Sequence, residues 1–311
     1  MSRLSKDLEN YLDVVAKVAL AFRDEASDVE DARGSLASAG ILDLASDVVD
    51  EPDALHWLAH TISKLAESSP SLAYVVAARY AGRLAIGAET ETDDPTFSLS
   101  SSTSSPVVAR ALDPRTVVVL EANSPVMRSW LWSELEAEAV EESRTGLTQA
   151  RLVTLTLPDG GRSRSGEAHA RTAWNVLTTA ALVGTARCAL ATTQGYVLER
   201  HQFGVPIGSF AGLRALVADM DLKAEAASAL LDLALDDETS AEHAAAAAGR
   251  STVEVCLAAV QAHGGYGYID EYPLAGLLRD AISLQARAGG RRLHVAGVAR
   301  RGLGPRPGAP A

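Results

Sequence analysis

The chain has 311 residues, 47% hydrophobic but only 5% aromatic, and its 40 acidic against 28 basic side chains give a formal net charge of −12. That balance, with no basic cluster away from the extreme C-terminus, excludes a nucleic-acid surface, because phosphate binding needs grouped cations to displace counterions. A sizeable core drawn mainly from alanine, leucine and valine favours close-packed helices, so the fold class is mainly α.

In chain order, Leu4, Leu8, Leu12, Val15 and Val18 recur every three or four positions, which predicts an amphipathic helix from Leu4 to Ala21 with one core-facing stripe. The opening "MSRLSKDLENYLDVV" carries charges every few residues and reads neither as a signal peptide nor as a membrane span; a cytoplasmic protein without a membrane partner is expected. "DARGSLASAGILDLA", stopped by Gly40, and "PDALHWLAHTISKLAESSPSLAYVVAARYAG", interrupted at Ser69-Pro70, continue the helical texture. Residues 1–92 are expected to form a helical domain.

The texture changes at Ala88. "ETETDDPTFSLSSSTSSP" brings acids, serines and prolines, and "RTVVVLEA" and "ARLVTLTLP" supply β-branched runs of strand length. Residues 93–163 therefore read as a small β-domain, closed by the turn-rich linker "PDGGRSRSG". From 164 to 303 the chain is helical again. A stretch apolar on all sides from 173 to 198 predicts the hub of a bundle, and "LRALVADMDLKAEAASALLDLAL" a second helix. A third is opened by the capping-box pattern Thr239-Ser240-Ala241-Glu242 and stopped by Gly264-Gly265, and a last helix begins near Leu274. Residues 304–311 read as a disordered tail. Cys188 and Cys256 have no ligand-spaced neighbours, so no metal is expected and both read as small buried hydrophobes.

Two stretches say more than periodicity does: "YVLERHQFGVPIGSF" at 196–210 and "VQAHGGYGYIDEYPLAGLLRDA" at 260–281. Each alone has a plain reading, with Arg200 pairing to Glu199 or Asp219 and Gly264-Gly265 merely ending a helix. Together, Arg-x-Gln-Phe-Gly and Gln-x-x-Gly-Gly-x-Gly followed by Glu-Tyr-Pro and Arg-Asp-Ala resemble the C-terminal domain of acyl-CoA dehydrogenases. The resemblance is fainter in the N-terminal helices and nearly vanishes in the middle. It implies an N-terminal helical domain, a reduced central β-domain and a C-terminal four-helix bundle. It also implies FAD shared across a subunit interface: Arg200 matches the arginine that meets the neighbour's pyrophosphate, Phe203 the aromatic beside that flavin, and Gln261 and Gly265 the positions approaching its adenosine end. The chemistry suits those positions, since a guanidinium offers a fork of donors to phosphate oxygens and a Gly-Gly turn lets backbone amides approach a cofactor.

The departures from the family pattern are equally specific. Its α-proton-abstracting glutamate, followed by Gly-Thr, is matched here by Ala288 and Gly289-Gly290, and the alternative position for that base on the long central helix is matched by Trp174. Neither side chain can accept a proton from a carbon acid, so no catalytic residue is expected. The Thr-Glu-Pro, Gly-Ser-Asp and Trp-Ile-Thr signatures that hold the flavin ring have no counterpart between Asp93 and Pro158, and Trp130 and Trp132 read as core or interface packing. Asp270, Glu271 and Asp280 read as structural, and Asp219 as the partner of a nearby arginine.

A chain that keeps the lent half of a flavin site and lacks its own implies a heteromer. The resemblance points to an accessory subunit of an α2β2 acyl-CoA dehydrogenase of the actinobacterial, steroid-degrading kind. Its partners would be a paralogous full-length subunit holding the acyl-CoA, and an electron-transfer flavoprotein as acceptor. The alternatives are a flavin oxidase or monooxygenase of the same fold and a flavin-free helical scaffold.

Overall fold

A computed structural model describes residues 5–25, 28–87, 94–100, 105–135, 139–141, 144–269 and 271–304. The expected tail beyond Gly304 and Asp270 lie outside these residues. The N-terminal part runs through α1 (Lys6–Glu25), α2 (Arg33–Ser38), α3 (Leu44–Asp47), α4 (Ala54–Ala66) and α5 (Pro70–Ile86). On α1, Leu8, Val15, Ala19 and Phe22 are the buried residues, their spacing keeping them on one face. Ser69 caps α5 by accepting the Leu72 N–H at 3.1 Å, and Pro70 occupies the first turn, where its missing N–H costs nothing. Arg79 on α5 donates to Leu42 O at 2.8 Å and pairs with Asp94 at 2.6 Å, which ties the helical part to the first strand.

The strands form two small sheets. One has the order β1 (Pro95–Ser100), β3 (Thr116–Glu121), β4 (Met127–Leu131), β7 (Arg162–Arg164), and the other β2 (Val107–Ala109), β6 (Leu152–Leu155), β5 (Ala139–Glu141). β1 runs parallel to β3, while β4 and β7 continue antiparallel. A short helix, α6 (Trp132–Leu135), follows β4. The stretch expected to be a linker contains β7: Arg164 pairs with Met127 across the ladder, and its Nε donates to Ser129 Oγ at 2.8 Å. Trp130 is buried with Val117, Val119, Val153 and Leu155 in a cluster spanning both sheets, as core packing would have it.

The C-terminal part comprises α7 (Glu167–Glu199), α8 (Ala211–Asp236), α9 (Ala241–His263), α10 (Leu274–Arg287) and α11 (Gly290–Leu303). α7 through α10 form the four-helix bundle and α11 packs on α9. α7 is the hub: it also packs against α4 and α5, and a Cβ added at Gly184 would overlap the Ser63 carbonyl of α4. By length and composition α7 could cross a membrane, but most of its apolar stretch is buried inside the protein. Its buried threonines satisfy their hydroxyls within the helix: Thr178, Thr179, Thr185 and Thr193 each donate to the carbonyl four residues back.

Two local expectations are corrected. The single last helix is two helices, because Gly289 (φ +114°) and Gly290 (φ +75°) turn the chain after Ala288. The capping box does not form. Thr239 Oγ1 donates to Asp237 at 2.8 Å, no side chain caps α9 at Ser240, and Glu242 pairs instead with Arg301 at 3.1 Å.

Candidate functional site

α7 ends at Arg200, whose backbone leaves the helix in an extended conformation (φ −74°, ψ 121°). The chain then makes a hairpin from β8 (His201–Gln202) and β9 (Val205–Pro206). Its loop residues Phe203 (φ +53°) and Gly204 (φ +83°) are both left-handed, as a type I′ turn requires. Glycine adopts that region freely, whereas phenylalanine is strained there by roughly 1 kcal/mol. At the tip of the hairpin Phe203 projects from the protein: it is 93% exposed and touches Phe210 edge-on, with centroids 6.3 Å apart.

Arg200 is exposed, makes no ion pair among the described residues, and lies over the ring of Tyr266 at 5.4 Å. The plain reading, an ion pair with Glu199 or Asp219, does not hold. Asp219 binds Lys223 at 2.8 Å, not an arginine, because Lys223 follows one turn later on the same face of α8. Tyr266 in turn contacts Tyr272 (5.8 Å), Tyr272 contacts Tyr196 (5.7 Å), and Tyr196 stacks on His263 at 4.0 Å with the planes 20° apart. This aromatic cluster joins the end of α7 to the end of α9, bringing the two sequence motifs together. His263 is buried, with Nδ1 donating to Ala259 O at 2.9 Å, and burial lowers its pKa, so the ring is neutral. Gln261 is exposed beside it and its carbonyl accepts the Gly264 N–H. Gly265 faces open space, with nothing within 4 Å of where a Cβ would stand.

The two positions matched to the base meet elsewhere, in the core. The Trp174 indole is fully buried against Phe97 (5.2 Å) and Tyr74 (6.0 Å), and its Nε1 donates to Arg287 O at 3.3 Å, one residue before Ala288. Ala288 is buried too, its carbonyl contacted by His294 Nε2 at 3.1 Å. No carboxylate stands at either position. Nearby, a cavity of about 430 Å³ lies between the start of α7, the β3–β4 turn, the start of α9 and α11, lined by polar and charged groups that include Arg171, Asn175, Glu238, Glu242, His294 and Arg300. Arg171 is committed to the turn, donating to the carbonyls of Glu121, Ala122 and Ser124 at 2.8–3.2 Å. Asp280 is structural: it accepts the Leu147 N–H at 2.6 Å, and burial raises its pKa to about 6. Among the described residues no group of three His, Cys, Asp or Glu side chains gathers as a metal would need.

Residues 170–303 match the family described as acyl-CoA dehydrogenase, C-terminal domain. That stretch is similar to an acyl-CoA dehydrogenase C-terminal domain. Acryloyl-CoA reductase (NADH) of Anaerotignum propionicum is 36% identical over 125 residues, 38% of this chain and 32% of the relative. The chain thus spans about a third of the length of the curated relatives it matches. Likeness of fold reaches much further. Butyryl-CoA dehydrogenase from Megasphaera elsdenii superposes with a TM-score of 0.81 at 18% identity, covering 97% of this chain and 100% of that one. PigA with FAD and proline gives 0.80 at 16% over 97% and 98%, and the steroid ACAD Tcur3481-Tcur3483 (G363A variant) 0.78 at 18% over 96% and 98%.

The acyl-CoA dehydrogenase fold accounts for all three parts of the chain, including the small sheets where likeness of sequence is lost. Sequence reasoning singled out Arg200, Phe203, Gln261 and Gly265 by motif and did not single out Tyr196, His263, Tyr266 and Tyr272, which the structure gathers beside Arg200. A signal was present: "GGYGYIDEY" holds three of the seven tyrosines of an aromatic-poor chain.

Proposed function

We propose that this acyl-CoA dehydrogenase-fold chain is an accessory subunit of a flavin-dependent acyl-CoA dehydrogenase, lending FAD-binding residues to a catalytic partner. The observation that carries the reading is the contrast between its surface and its core. Arg200 and Phe203 are presented outward, one in no ion pair among the described residues and the other strained, while the base positions Trp174 and Ala288 are packed shut.

The residues present fit the cofactor's outer end. Arg200 would meet the pyrophosphate of the partner's FAD, Phe203 would pack beside its flavin, and Gln261 with the open face at Gly265 would border its adenosine. FAD, when bound, supplies the acceptor for the hydride leaving the acyl β-carbon. This chain's residues bind and orient it, and none of them moves the α-proton. The base would come from a paralogous full-length subunit, which would also hold the acyl-CoA and pass electrons to an electron-transfer flavoprotein. A bulky, steroid-derived acyl group and an α2β2 assembly are the finer part of the proposal, supported by the fold shared with a steroid ACAD.

Purified alone, the chain should be colourless. Co-expressed with a full-length acyl-CoA dehydrogenase subunit as partner, it should yield a yellow complex with one flavin per heterodimer. A flavin spectrum at unit stoichiometry from the isolated chain overturns the proposal.

A further inference from the structure

Arg200 belongs to no ion pair among the described residues, yet its guanidinium stands over the Tyr266 ring at 5.4 Å. The choice of anchor matters for what the arginine can do. A carboxylate would hold it by taking up its N–H donors and cancelling its charge. An aromatic face attracts the cation through the ring quadrupole and leaves the donor fork and the charge available to a phosphate. Tyr266 is itself backed by Tyr272, which contacts both Tyr196 and His263, so the ring under Arg200 is braced by α7, α9 and the segment leading into α10 at once. The neutral state of His263 adds no competing cation beneath the cluster.

We infer that Tyr266 is a positioning residue: it holds the Arg200 guanidinium, unpaired and pre-oriented, toward a pyrophosphate presented by a partner subunit. The inference rests on the accessory-subunit reading and adds to it a residue that acts on the ligand only through Arg200. Ordering the side chain before binding lowers the entropy lost when the phosphate arrives.

The test is a double-mutant cycle on the co-purified complex, measuring the FAD dissociation constant for wild type, Arg200→Ala, Tyr266→Leu, Tyr266→Phe and Arg200→Ala with Tyr266→Leu. Tyr266→Leu should weaken FAD binding about 2- to 5-fold, the range of an exposed cation–π contact, and Tyr266→Phe, which keeps the ring face, should leave it nearly unchanged. The double variant should bind no more weakly than Arg200→Ala alone. Effects that multiply, or a Tyr266→Phe complex as weak as Tyr266→Leu, overturn the inference. An Arg200→Ala complex that holds FAD as tightly as wild type overturns the accessory-subunit reading itself, so the two failures are distinguishable. A second readout needs no partner: in the isolated chain the Arg200 Nε–H nuclear magnetic resonance should carry a ring-current shift that Tyr266→Phe keeps and Tyr266→Leu abolishes. A resonance unmoved by Tyr266→Leu counts against the contact.

Discussion

The Trp174 indole Nε1 donates to the carbonyl oxygen of Arg287 at 3.3 Å, across 113 residues of sequence. This bond closes the space beside Ala288 with a rigid aromatic ring, and Tyr74 and Phe97 pack around it. Restoring a carboxylate at 288 therefore places it against a filled core. A homo-oligomer of Ala288→Glu should show no reduction of an artificial electron acceptor with any acyl-CoA, because geometry precedes pKa in general-base catalysis. Turnover by that variant alone would show that the chain owns a complete substrate pocket.

Trp174 should be among the costliest residues to truncate. Trp174→Ala leaves a large cavity and an unpaired Arg287 carbonyl, and urea denaturation should report a loss of about 3–5 kcal/mol. A loss below 1 kcal/mol would mean that the ring does not fill this space.

At Arg200, replacement by alanine should cost the isolated chain no more than about 1 kcal/mol, the worth of the exposed contact with the Tyr266 ring. In the complex it should weaken FAD retention by about 1.5–3 kcal/mol, the worth of a charge-assisted contact to phosphate. The check is flavin content after gel filtration; a change confined to substrate affinity would remove Arg200 from the cofactor.

Phe203 separates stability from function. Phe203→Gly relieves the left-handed strain at φ +53° and should raise the unfolding free energy slightly, by at most about 1 kcal/mol, while weakening FAD retention in the complex. Melting temperature and flavin content, measured on the same preparations, should move in opposite directions. Joint loss of both would make the ring a structural prop.

Asp280 gives a pH dependence with a definite sign. Burial raises its folded-state pKa to about 6, against the weaker opposing pull of the Leu147 N–H and Arg279. The folded protein therefore keeps a proton that the unfolded chain releases near pH 4. The stability this group contributes is fully present below that pH and is lost as the pH rises through 6. Asp280→Asn keeps an acceptor for Leu147 without the buried charge. It should be more stable than wild type at pH 7.5 by on the order of 2 kcal/mol, a difference that shrinks toward pH 4. Urea titrations at the two pH values decide it; a less stable variant at pH 7.5 reverses the assignment.

The sequence by itself determined the helical ends of the chain, the hub helix and the likeness of its C-terminal stretch to an acyl-CoA dehydrogenase domain. Those rest on local spacing and on two motifs that read linearly: the apolar surround of α7 and the Arg-x-Gln-Phe-Gly and Gly-Gly-x-Gly stretches. Only the tertiary structure decided what holds Arg200. Glu199 and Asp219 were its plausible anchors by sequence, but neither pairs with it: a lysine one helical turn away claims Asp219, and the actual anchor, Tyr266, reaches Arg200 only when α9 is laid beside α7. The same holds for Trp174 and Ala288, whose meeting is a contact between the core helix and the end of α10, and for β7, which has too few residues to announce itself and exists because β4 offers it a ladder. Periodicity is a property of one element, whereas an anchor, a filled pocket or an edge strand is a property of two, and only packing brings the second element into reach.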